Sequence, residues 1–232
     1  MKVYLTLILV VILFAFATPT LADSTTVTIL DGALVHFGGG VQNDEALYFE
    51  KDNGRKVGRR IELPTLTEPT SIIARLLVDS AGDPWDRAAT IYLQVPGHEN
   101  IELLKFITGF GGRSELELDV TYLAPMLQGE CDIYAFVDTW VNPGWVIDFE
   151  LVYKTDDSVQ PAAWNNGVYF NWSLNRASVE QDTPTVKINI PSTQERIMLT
   201  YYASGHATDG TGGDEFETKF NKKLAYTVTD VW

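Results

Sequence analysis

Trp145-Val146-Ile147-Asp148-Phe149-Glu150-Leu151-Val152-Tyr153 is the stretch that decides the fold class. In an extended chain, Trp145, Ile147, Phe149, Leu151 and Tyr153 fall on one side, and Asp148 and Glu150 fall on the other. Successive side chains of a strand point to opposite faces, so this period marks a strand with one buried face. The period recurs upstream, where Leu116, Leu118 and Val120 alternate with Glu115, Glu117 and Asp119. Residues 71–78, 88–95, 102–108 and 132–141 read as further strands. Gly- and Pro-containing breaks separate them, at 81–84, 96–97, 109–112 and 142–144. Residues 123–127 can form at most one helical turn, because Pro125 limits it. Many short strands punctuated this way predict an all-β protein, an antiparallel sandwich or jelly roll.

Working outward, the first residues read as an address. Met1-Lys2 is a short basic start, residues 3–17 are almost wholly apolar, and Thr18-Pro19-Thr20-Leu21-Ala22 offers small residues for a signal peptidase. The apolar run is shorter than the roughly 20 residues of a membrane span. Residues 1–22 are therefore expected to be a signal peptide, leaving a secreted or periplasmic chain from Asp23. Residues 23–155 are expected to form a first sandwich. Residues 156–232 carry only about four strand patterns, against the roughly seven of a sandwich, and are expected to form a partial second one. The chain holds 17 basic and 31 acidic residues, a formal charge of −14, which disfavours nucleic acid and anionic membrane surfaces as partners. A 45% hydrophobic content supports a packed globule. The single cysteine, Cys131, cannot form an intrachain disulfide and is expected to be a small buried hydrophobe.

Three places combine acids with aromatics: Asp83-Pro84-Trp85-Asp86-Arg87, Asp138-Thr139-Trp140 and Asp214-Glu215-Phe216. Strand alternation puts Asp138 with Tyr134, Phe136 and Trp140, opposite Ile133, Ala135 and Val137. A carboxylate among rings suits proton transfer, and flat aromatic faces suit the apolar patches of a sugar ring. Other chemistries lack support. His36, His98 and His206 have no ligand spacing, so no metal is expected. No Gly-x-Ser-x-Gly elbow is present. Gly212-Gly213-Asp214-Glu215-Phe216 spells a diguanylate cyclase signature, but the export signal and the β pattern contradict that context.

In order and spacing the three places resemble the peptide-N-glycosidase F family, secreted amidases that remove N-linked glycans from asparagine. The likeness is densest over residues 83–152. It runs through Trp85-Asp86-Arg87, Phe106-Ile107-Thr108, Leu118-Asp119-Val120-Thr121, Asp138-Thr139-Trp140 and Asp148-Phe149-Glu150. Later it rests on Ser204-Gly205-His206-Ala207 and Asp214-Glu215-Phe216. The resemblance implies two antiparallel jelly rolls side by side, the second apparently truncated. It implies Asp86 as principal catalytic carboxylate and Asp138 and Glu215 as supporting acids. Arg87, Trp140, Trp85 and His206 are then expected at the substrate. The implied reaction hydrolyses the amide joining N-acetylglucosamine to asparagine in an N-linked glycoprotein, with no cofactor, and the chain is expected to be a monomer. Two features depart from the family. Glu is common where Asp138 stands, and an arginine of the family's second domain has no counterpart here. The alternative is a β-sandwich that binds glycans or glycoproteins without cleaving them.

Overall fold

The computed structural model describes residues 24–96 and 100–159. The expected signal peptide lies outside them, as do all residues from 160 on, Glu215 and His206 included. Nine strands are described: β1 (Ser24–Val35), β2 (Phe49–Lys51), β3 (Lys56–Leu63), β4 (Thr70–Ser80), β5 (Ala88–Gln94), β6 (Ile101–Ile107), β7 (Ser114–Asp119), β8 (Gly129–Val137) and β9 (Trp145–Thr155). The only helical pieces among the described residues are single 3₁₀ turns, Asp52–Gly54 and Thr121–Leu123.

The strands form two antiparallel sheets, one ordered β1-β9-β4-β7 and the other β2-β3-β8-β5-β6. The alternation in β9 is realised as expected. Trp145, Ile147, Phe149, Leu151 and Tyr153 are buried between the sheets. From the opposing sheet, β8 contributes Cys131, Ile133, Ala135 and Val137, and β5 contributes Ala89, Ile91 and Leu93. Removing this apolar surface from water is the main drive for the two layers to associate. The all-β sandwich is therefore the observed architecture of the described residues.

Three details depart from the pattern. Among the described residues β7 is a sheet edge, and Leu116 on it is 37% exposed, since no described strand lies beyond it. β8 ends at Val137, short of the expected Val141. There Thr139 N–H turns back to donate to Val137 O, and the Thr139 side chain is drawn to Asp83. On β3, Gly58 lies against the Phe49 ring and Tyr134 Cβ. A Cβ at that position would overlap both.

The register places one end of the sandwich precisely. β9 begins where β1 and β4 end, with Trp145 opposite both Val35 and Ser80. In the other sheet β5 begins where β8 ends, with Ala89 opposite Val137, and β6 ends opposite Ala88. The connections 52–55, 81–87, 108–113 and 138–144 and the start of 36–48 therefore meet at one end. Residues 83–87 and 138–140 both belong to it.

Ile133 is fully buried in the layer between the sheets. Ile133→Ala is expected to lower unfolding free energy by about 2–5 kcal/mol. Leu116→Ala on the open edge is expected to change it by less than about 0.5 kcal/mol. Urea unfolding of the two variants checks this contrast.

Candidate active site at one end of the sandwich

The connecting loops at this end are fastened to one another through their backbones. Ala81 N–H donates to Gly144 O at 2.9 Å, Phe37 N–H to Val141 O at 3.0 Å, and Thr108 N–H to Arg87 O at 3.0 Å. Asp138 N–H donates to Ala88 O at 2.9 Å. Asp138 thus lies beside the first residue of β5, and Asp86 lies two residues earlier on the same connection.

At the centre is Asp83, which has no exposed surface. Its Oδ2 accepts from Arg87 Nε at 2.7 Å, Thr139 Oγ1 at 2.6 Å and Trp145 Nε1 at 3.4 Å. Its Oδ1 accepts from Arg87 Nη2 at 3.0 Å and from Trp85 N–H at 3.1 Å. A buried charge is tolerated only when paired and hydrogen-bonded in this way. Burial pushes the carboxyl up, but it is held below its usual value. The hydrogen bonds from Arg87, Thr139 and the Trp85 N–H, with the Arg87 charge, outweigh the burial. Asp83 thereby fixes two segments on either side of it, 84–87 and 139–140.

The side chains expected at a substrate are arranged around this knot. Trp85 and Trp140 are 56% and 57% exposed, and Phe110, on the β6–β7 connection, is 53% exposed. The Phe110 loop touches the Asp83 loop, since a Cβ on Gly111 would lie 3.4 Å from Pro84 Cα. Arg87 sits with its Nε and Nη2 on Asp83, so the guanidinium expected to meet substrate is also a strut of the loop. Asp86 and Asp138 come to the same end of the domain. Glu215 and His206 lie outside the described residues.

One residue at this end escaped the sequence reading. Arg55, at the turn before β3, reaches Asp138 Oδ1 through Nη1 at 3.1 Å and Asp52 Oδ1 through Nη2 at 3.0 Å. Its guanidinium carbon lies 4.6 Å from the Trp140 ring centroid and 5.6 Å from that of Phe37. Phe37 and Trp140 are themselves 4.9 Å apart, tilted by 57°. The signal for it was Asp52-Asn53-Gly54-Arg55. Asn-Gly is a strong hairpin signature and Asn53 and Gly54 both take positive φ, so the turn could have been placed. Behind it, buried His36 reaches Glu50 Oε2 through Nε2 at 3.0 Å and donates through Nδ1 to Gly38 O at 2.8 Å. Glu50 is likewise held below its usual value. Burial raises it, while the Asn43 side chain and the Asn43 and Gln42 N–H groups lower it further.

Chemically, this end offers carboxylates for proton transfer and open indole faces for a sugar or peptide. Among the described residues no group of three His, Cys, Asp or Glu could hold a metal ion. Among them, too, no helix is long and apolar enough to cross a membrane.

Residues 26–109 match the family model described as Peptide-N-glycosidase F, N terminal. Over those residues the sandwich matches the N-terminal domain of the peptide-N-glycosidase F family. The peptide-N(4)-(N-acetyl-beta-D-glucosaminyl)asparagine amidase F of Elizabethkingia miricola is 34% identical over 83 residues. That alignment covers 32% of this chain and only 23% of the curated relative. Two solved structures of PNGF-II share the fold, with TM-scores of 0.56 and 0.52, each at 19% identity. The superpositions cover 62% and 58% of this chain and 36% and 34% of those proteins.

Asp83→Asn removes the charge that Arg87 requires and is expected to cost about 3–5 kcal/mol. A carboxyl whose folded value lies below its unfolded value stabilises fully above about pH 4, and that contribution is lost as pH falls through the folded value. The urea midpoint of the native chain should therefore decline below about pH 4, and the decline should be shallower in Asp83→Asn.

Proposed function

We propose that this chain hydrolyses the amide between N-acetylglucosamine and the asparagine side chain of N-linked glycoproteins. Asp86 is the general acid/base. It takes a proton from water as the water oxygen attacks the amide carbonyl carbon. It returns the proton to the nitrogen as the C–N bond breaks. The asparagine becomes aspartate, and the released glycosylamine decays to sugar and ammonia. Asp138 and Glu215 are the supporting acids, and Trp85, Trp140, Arg87 and His206 contact the substrate. Such proton transfers contribute roughly 10²- to 10⁴-fold in rate. The reaction needs no metal or cofactor.

What supports the reading is the presence of Asp86 and Asp138 at one end of a domain of this family, with Trp85 and Trp140 open to solvent beside them. The same proposal includes export of the chain after cleavage at Ala22, a first domain over 23–155, a partial second one over 156–232, and a monomer. A second reading has its own support. Trp85, Phe110 and Trp140 are each more than half exposed, which suits a surface that holds glycans without cleaving them.

Incubation of the chain with a denatured N-glycoprotein, followed by detection of free glycan and of the Asn-to-Asp mass shift, separates the two. Asp86→Asn is expected to lower kcat/KM at least about 100-fold while the chain still folds. Release that survives this substitution removes Asp86 from its role. Glycan retention without release establishes the binding reading instead.

A further inference from the structure

The feature at this end that the amidase reading leaves unused is Arg55. Its side chain is only 17% exposed, against 47% for Asp138 and 37% for Asp52. The two terminal nitrogens are divided between those carboxylates, and the guanidinium carbon lies over the Trp140 and Phe37 rings. Phe136 adds a third ring, 6.0 Å from the guanidinium carbon. The remaining nitrogen, Nε, is buried with no hydrogen-bond partner among the described residues. An orphaned buried donor is unfavourable for stability, and natural structures concentrate such exceptions at functional sites. The backbone holds Arg55 firmly in place. Its C=O accepts from Val137 N–H at 3.1 Å, and its N–H donates to Asp52 O at 3.2 Å.

We propose that Arg55 is the positioning residue of the site, setting both the aim of the Asp138 carboxylate and the seat of the Trp140 indole. The proposal rests on the amidase reading for its consequence in rate, but not for its geometry. One planar cation contacts both a proposed supporting acid and a proposed sugar-binding ring. Moving it therefore disturbs the chemistry and the substrate platform together. A guanidinium does this where an ammonium would not, because its fork reaches two carboxylates while its face stacks on a ring. Asp138 is the shorter of the two acids that could stand at its position. A fixed cation at 3.1 Å limits the directions in which that short side chain can point.

The test uses the full chain with Arg55→Gln and Arg55→Lys. Two measurements are made. One is glycan release, with kcat and KM separated. The other is Trp140 emission, taken as the difference from Trp140→Phe, and it needs no activity. Arg55→Gln should lower kcat about 10- to 100-fold, the scale of a catalytic group displaced by about an ångström, and should shift the Trp140 emission. Arg55→Lys should restore neither the emission nor the full rate, because an ammonium cannot hold two carboxylates and a ring at once. Unchanged Trp140 emission in Arg55→Gln overturns the proposal. If the native chain releases no glycan, the amidase reading fails alone, and the emission still decides the role of Arg55.

Discussion

A single carboxylate with no contact to water holds one end of this sandwich together. Asp83 accepts from five donors that belong to two loops and to the first residue of β9. Thr139 and Trp145 lie 56 and 62 residues away in sequence, so the carboxylate performs the service of a crosslink. Bidentate pairing with Arg87 supplies direction as well as energy, because the guanidinium fork accepts only one approach. Trp85 and Trp140 can stand open to solvent at the end of the domain because the residues adjoining them are fastened inward. Loops that carry exposed aromatic rings without such an anchor would collapse onto them.

The two sheets and the end loops divide the work. The sheets bury a continuous apolar layer and set the register, which determines which loops become neighbours. The loops then place polar chemistry where no ladder hydrogen bonds constrain it. Binding and catalytic residues concentrate on loops held by a rigid scaffold for this reason. Arg55 belongs to this logic from the other side. It sits on a tight turn of the sheet with its backbone paired to β8, and it reaches from that rigid base to Asp138 and Trp140 on a loop.

The fold was legible wherever alternation survived. β9 reads directly because its buried positions keep a strict period of two, while β5 and β8 read from their β-branched and aromatic content, since Ala89–Ile91 and Ile133–Ala135 are buried without a break. β1 was hidden because register shifts fall between Thr28 and Leu30 and again between Leu30 and Ala33, so Ile29 and Leu30 are both buried in succession. β3 was hidden because Gly58 offers no side chain to count and two arginines follow it. β2 is three residues long and leaves no periodic signal. Asp86, Asp138, Trp85 and Trp140 stood out because acids and indoles adjoin in the sequence, and the fold brings them to one end. Arg55 was not, because it joins Asp138 from 83 residues away and only tertiary structure makes them neighbours. Asp83 was visible as a residue, while its burial and its five donors were not.

The lone thiol has a consequence of its own. Cys131 is buried on β8 and its pKa is pushed up to about 12, chiefly by burial and then by Asp132, Glu62 and Glu130. At neutral pH roughly one molecule in 10⁵ would carry the thiolate, the form that attacks disulfides and reacts with oxidants. With no second cysteine in the chain, nothing in this sandwich depends on the redox poise of its surroundings. The same packed layer would form, and persist, with or without a reductant.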